Sequence, residues 1–206
     1  MTVDGQIWWY LARAAGITAW ALATASVLWG MALSTRALGP KPSAPWLTDL
    51  HRFLGGLTVA AMAAHLLGLW ADSYVHFGAS ELFVPLASSW KPWPVALGIL
   101  AMYGLVAVEV TSLLRGRMSR RWWRRVHLTS YVVWVAATAH LLLAGTDAAN
   151  PVMLWTTLAS IVAVAFFTVY LVIGPKRGRR RAARTAPGAT APAAVEAPAA
   201  PPTPVG

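Results

Sequence analysis

Apolar residues dominate five long stretches of this chain, 7–34, 47–71, 92–114, 123–145 and 152–174, and polar residues collect between them. Each stretch holds about twenty residues or more, the length that carries an α-helix across a hydrocarbon core of about 30 Å. Tryptophans mark the ends of several stretches (Trp8, Trp9, Trp46, Trp90, Trp93, Trp122 and Trp123), as expected of side chains that settle at lipid headgroups. The pattern predicts an all-α fold, a polytopic membrane bundle of about five transmembrane helices. One further apolar segment, 82–86, is too short to span and is expected as a short helix on the outer surface.

Composition agrees: 57% apolar and 12% charged residues among 206 exclude an ordinary soluble domain. A net charge of +10 would suggest a nucleic-acid partner in a soluble protein, but the placement of the charge points elsewhere. Of the 17 Lys and Arg, six lie in 115–125 and six in 176–184, both beside membrane stretches. Under the positive-inside rule these segments are cytoplasmic. The N-terminus then lies outside, the C-terminus is cytoplasmic, and every loop between obeys the alternation. The expected location is the plasma (inner) membrane, multi-pass, with the lipid membrane as partner and no nucleic acid. No basic region opens the chain, and the first span is too long for a cleaved signal peptide. The transmembrane domain is expected over 1–174. A cytoplasmic tail, basic and then Ala/Pro-rich, follows over 175–206, and from 185 it lacks helical periodicity and is expected to be disordered. The lack of Cys excludes disulfides, thiolate ligands and iron–sulfur clusters.

Polar residues inside the spans carry the chemistry, because each is costly in lipid unless it has a partner or a purpose. The first span holds Arg13, which either snorkels to the headgroups or faces a polar group inside the bundle. The second holds Asp49, His51, Arg52, the pair Gly55-Gly56, and His65. Adjacent glycines in a membrane helix mark the close approach of a neighbouring helix or of a flat ligand. Glu109 near the inner end of span three is expected in an ion pair with Arg52, Arg115 or Arg124, which share its depth. Span four carries His127, Tyr131 and His140, whereas span five has no ionisable group except Tyr170.

The histidines form a pattern. The run Val-Ala-Ala-Met-Ala-Ala-His-Leu-Leu (59–67) returns as Val-Ala-Ala-Thr-Ala-His-Leu-Leu (135–142), and an Asp follows each histidine by seven residues (Asp72, Asp147). Spans two and four cross in the same direction, so His51 and His127 lie near the cytoplasmic face and His65 and His140 further out. At about 1.5 Å per residue, the fourteen steps of one pair and thirteen of the other separate the two levels by about 20 Å. That excludes a binuclear metal site, whose ions lie about 4 Å apart. Two large cofactors stacked across the membrane suit it, and haem, which accepts two axial imidazoles in an apolar slot, is the natural candidate. Thirteen steps leave His127 and His140 well off a common helical face, so either a local irregularity between them or a compensating rotation of the bound cofactors is expected.

These spacings resemble the ferric-reductase-type transmembrane domain shared by ferric reductases, NADPH oxidases and the bacterial haem-binding subunit of methionine sulfoxide reductase. In that family one helix carries histidines fourteen apart and a later parallel helix carries them thirteen apart. The segments Asp-Leu-His-Arg-Phe-Leu-Gly-Gly (49–56), Val-Glu-Val-Thr-Ser-Leu-Leu-Arg (108–115) and Trp-Arg-Arg-Val-His (123–127) look similar to its bacterial members. The resemblance implies two b-type haems, His51 with His127 on an inner haem iron and His65 with His140 on an outer one. Six spans are common in that family, against five here. No counterpart of its FAD- and NADPH-binding domains is expected in these residues, where no glycine-rich phosphate loop follows a strand.

Three functions follow as expectations. The first is a dihaem b-type membrane cytochrome carrying electrons from the cytoplasmic side to an outer-face acceptor, ferric iron or a redox protein. Its donor is separate: a flavoprotein, a reduced flavin or a quinol. As an enzyme it would be an oxidoreductase component. Arg13 and, more weakly, Arg52 are the candidate partners of haem propionates. The Arg-rich 115–125 segment serves topology, or holds a flavin or docks an acidic donor at the cytoplasmic face, with Trp122 or Trp123 stacking. The second function is a quinol-oxidising cytochrome b anchor subunit with Tyr131 or Glu109 lining the quinone pocket. The third is a haem-free, His-lined metal transporter. His76 is a candidate outer-surface ligand.

Overall fold

The computed structural model describes residues 3–35, 44–73 and 77–173. His76, the loop cations Arg36 and Lys41, the basic run 176–184 and the tail 185–206 lie outside the described residues. Seven α-helices and no strand occur among those described: α1 (Val3–Thr35), α2 (Ala44–Ala71), α3 (Ala79–Phe83), α4 (Pro92–Leu113), α5 (Arg120–Leu128), α6 (Ser130–Ala144) and α7 (Pro151–Ile173). Five spans are long and apolar enough to cross a membrane: Gln6–Thr35, Pro45–Ala71, Pro92–Leu113, Arg120–Ala144 and Pro151–Ile173. The chain is a multi-pass membrane protein.

Local sequence sets the helix starts. Pro45, Pro92 and Pro151 stand in first turns, where a missing N–H costs nothing. The Ser119 hydroxyl caps α5 by accepting from Trp122 N, and the Asn150 side chain accepts from Val152 N at the head of α7. Lys91 precedes α4 in the left-handed region (φ 44°), unfavourable for a residue with a Cβ. Its ammonium donates to the Leu143 carbonyl at 2.9 Å, in the last turn of α6, where a cation is favoured.

The fourth span is broken. At Thr129 the helix interrupts, with Thr129 N donating to Val126 O three residues back, so α5 and α6 are separate segments. The irregularity expected between His127 and His140 therefore lies two residues after His127. The short helix expected at 82–86 forms earlier, as α3 (Ala79–Phe83), and the chain is already extended at Val84. Its Leu82 is buried with Phe77, Val95, Ile99 and Met102.

Packing follows two pairs. α1 lies along α2 and α4 along α6, while α2 and α6 keep their backbones apart. The pairs are joined by a closed ring of hydrogen bonds between α1 and α6. Trp20 Nε1 donates to Thr138 Oγ1 (3.0 Å), which donates to Trp134 O; Trp134 Nε1 donates to Thr24 Oγ1 (2.9 Å), which donates to Trp20 O. All four residues are buried. Met31, Trp134 and Val164 form a second cluster that brings in α7. Outward faces are apolar, with Phe53, Trp70, Leu113, Val132 and Phe166 exposed, a liability in water and the proper surface in lipid.

Candidate functional site

The gap between α2 and α6 is a cavity of about 2250 Å³, walled by α1 and α4 and lined by all four span histidines. A pocket for one drug-sized ligand measures about 300–1,000 Å³, so this space is large enough for more than one such molecule. At one level the rings of His65 and His140 face each other with centroids 6.4 Å apart and planes at 76°. At the other, His51 and His127 lie 5.9 Å apart at 77°. The structure thus brings the sequence-predicted pairs together.

Each ring is fastened from behind by its other nitrogen. Nδ1 of His65 meets the Ala12 carbonyl at 2.7 Å, and Nδ1 of His140 meets the Pro94 carbonyl at 2.8 Å. A carbonyl only accepts, so in both rings Nδ1 carries the proton and Nε2 keeps its lone pair. At the second level the partners are hydroxyls at longer range, Ser26 Oγ to His51 Nδ1 at 3.3 Å and Ser112 Oγ to His127 Nδ1 at 3.5 Å.

Glycine makes room for this arrangement. A Cβ added to Gly16 would stand 2.9 Å from His65 Nδ1, and one added to Gly98 would stand 2.7 Å from His140 Nδ1. Gly56 differs: a Cβ there meets nothing within 4 Å, and the residue faces the cavity. Its neighbour Gly55 abuts the Glu109 carboxylate.

The charged candidates settle unevenly. Arg13 lines the cavity but gives its guanidinium to Asp147. Nε donates to Oδ2 at 3.0 Å, Nη2 pairs with Oδ1, and the Trp9 ring lies 4.1 Å from the guanidinium carbon. This two-pronged geometry is the strong form of an arginine–carboxylate contact. Arg52 lines the cavity and is exposed. The ion pair expected of Glu109 is a correction: it forms none with Arg52, Arg115 or Arg124. Arg115 lies instead over the Trp123 ring at 4.7 Å, and Arg52 and Arg124 are exposed at the cavity wall. Trp123 also stacks on His127, centroids 5.0 Å apart, and its buried Nε1 has no acceptor among the described residues. Trp122 is exposed, under Arg125. Tyr131 lines the cavity beside Trp134 and Met31.

Among the described residues no group of three or more His, Cys, Asp or Glu converges to hold a bare metal ion. Each level offers two imidazoles, half of a tetrahedral donor set. Sequence reasoning missed Ser26, Ser112, Gly16, Gly30 and Gly98. Their signal was present, for Gly16 to Gly30 and Gly98 to Ser112 each span the fourteen residues that separate His51 from His65.

A family model described as "Ferric reductase like transmembrane component" matches residues 15–138, a range that includes His51, His65 and His127 and stops two residues before His140. No curated protein and no solved structure matches the chain.

Proposed function

The chain belongs to the ferric reductase-like transmembrane component family, and on that premise we propose that it is a dihaem b-type membrane cytochrome. His51 and His127 hold one haem iron, and His65 and His140 hold the other. The observation that carries this reading is the ring spacing. Two imidazole nitrogens each about 2 Å from one metal, with ring centres about 1 Å further out, put the centroids about 6 Å apart. The rings stand at 5.9 and 6.4 Å. A porphyrin brings its own four nitrogens, so two imidazoles complete an iron that they could not hold bare.

Other features support the same reading. Main-chain acceptors at Nδ1 fix the tautomer that leaves Nε2 free to ligate. The open face at Gly56 admits a flat ring, and the orphan Trp123 Nε1 offers a donor to a propionate near His127. Arg13 takes the corresponding role near His65 and His140, shared with Asp147. Bound there, haem supplies one-electron chemistry, while the chain's residues set ligation, separation and dryness.

The orientation proposed puts the arginines of α5 in the cytoplasm. Electrons then enter near His51 and His127 and leave near His65 and His140, towards ferric iron or a redox protein. The donor is a separate flavoprotein, reduced flavin or quinol, and the membrane is the plasma (inner) membrane. The quinol alternative rests on Glu109, a half-buried carboxylate that has no ion pair among the described residues and lines the cavity with Tyr131. Quinol-driven reduction abolished by Glu109→Gln would favour it.

The test is haem content. Purified from cells supplied with a porphyrin precursor, the protein should carry about two b-type haems per chain by the pyridine haemochrome assay. His65→Ala or His140→Ala should lose one, and His51→Ala or His127→Ala the other. A colourless protein overturns the proposal.

A further inference from the structure

Four positions on α1 and α4 stand in one relation to the four histidines. Gly16 backs His65, Gly30 backs His51, Gly98 backs His140, and Ser112 meets His127. Four residues before each of the three glycines stands the group that meets Nδ1: the carbonyls of Ala12 and Pro94 and the hydroxyl of Ser26. Four residues are just over one helical turn, so acceptor and glycine share a face. The unit occurs twice on α1, fourteen residues apart, and the same step on α4 leads from Gly98 to Ser112. On α5–α6 the histidines are thirteen apart, with the helix interrupted between them at Thr129.

The glycines are tight against the rings themselves. The imidazole atoms nearest a new Cβ lie at 2.9 and 3.1 Å for Gly16 and at 2.7 Å for Gly98. At Gly30 the nearest is Cε1 at 3.2 Å, which a small shift relieves. An imidazole on a single methylene stem has little freedom to retreat, least of all when Nδ1 is bonded to the same helix face. A methyl at Gly16 or Gly98 therefore displaces the ring and stretches the bond that fixes its tautomer.

We propose that Gly16, Gly30, Gly98 and Ser112 are positioning residues that seat the four imidazoles, and that the two levels are seated unequally. The His65–His140 level is held by backbone carbonyls that no side-chain substitution removes. The His51–His127 level is held by the longer contacts of Ser26 and Ser112, hydroxyls able to donate or accept, and is tuned through them. This inference rests on the haem reading of the site.

The experiment uses the full chain purified with its haem. Gly16→Ala and Gly98→Ala disturb one level, Ser26→Ala combined with Ser112→Ala disturbs the other without adding atoms, and Gly104→Ala is the control. A Cβ on Gly104 meets the Val133 side chain and no histidine, so it reports helix packing alone. Readouts are haem per chain, the low-temperature EPR signals of ferric haem, and redox titration of each haem. Each glycine variant should lose or shift one haem signal and spare the other. The serine pair should shift the signal that the glycine variants spare, and Gly104→Ala should keep both. Unchanged EPR signals and potentials in Gly16→Ala, Gly98→Ala and the serine pair would overturn the proposal, as would equal loss of both signals in every variant including the control. Wild-type protein without haem would instead overturn the functional reading beneath it.

Discussion

Replacing Thr138 by valine removes a hydroxyl from the middle of the bundle while keeping the side chain's shape. That hydroxyl accepts from Trp20 Nε1 at 3.0 Å and donates to the Trp134 carbonyl at 2.8 Å. Trp20 is only 7% exposed, so no water takes the vacated place and its indole N–H is left unsatisfied. An interhelical hydrogen bond in a membrane protein contributes about 0.6 kcal/mol on average and up to about 1.7. A buried donor stranded without a partner costs about 1–3 kcal/mol. The two ranges overlap at about 1–1.7 kcal/mol, the loss expected for Thr138→Val, and Thr24→Val should match it because the ring is reciprocal. In the double variant the total should fall short of the sum by about 0.5 kcal/mol or more, since opening one side slackens the other. The assay is reversible unfolding in mixed micelles with increasing SDS, followed by tryptophan fluorescence. Thr111→Val, whose hydroxyl reaches only carbonyls of its own helix, serves as the neutral control. A Thr138→Val protein as stable as that control would refute the reasoning.

Lys91→Ala should cost about 1 kcal/mol, because the bond to Leu143 is lost while the left-handed backbone stays strained. Lys91→Gly should come out nearly neutral in the same assay, as relief of strain offsets the lost bond. Arg13→Ala and Asp147→Asn should each destabilise by about 1 kcal/mol, a modest figure because both side chains remain partly wet. Only Arg13→Ala should also weaken haem retention at the His65–His140 level, measured as haem lost on gel filtration. On α3 the Ser80 hydroxyl donates to Glu81 and holds its carboxyl below the ordinary value. Its small contribution to stability is therefore present above the unfolded-state pKa and fades as pH falls through the lowered one. Ser80→Ala should move the Glu81 titration upward in a carbon-detected NMR experiment.

The spans and the paired histidines were legible because both are written along single helices: uninterrupted apolar length, and costly imidazoles repeated at matched intervals. The thirteen-residue step is consistent with an irregularity in span four, but it does not locate the interruption at Thr129. What stayed hidden depends on contacts between helices distant in sequence. Asp147 lies 134 residues from Arg13, and the sequence noted both without joining them. For Glu109 the sequence offers depth alone as a guide to a partner. Depth says nothing of direction, and Arg115 is drawn instead to the face of Trp123. The glycines behind the rings owe their role to side chains of other helices, which a single helix does not reveal. Trp20 with Thr24 and Trp134 with Thr138 repeat one four-residue spacing, but neither pair by itself names the other as partner.

The tryptophan–threonine ring has a mechanical consequence. It fastens α1, which backs two of the histidines, to α6, which carries another, at a height between the two imidazole levels. The halves of the molecule cannot slide past each other along the membrane normal without parting both indole bonds at once. Placed in a thinner or thicker bilayer, such a body meets the mismatch by leaning as one piece. The distance an electron has to cover is then a property of the protein and not of the lipid around it.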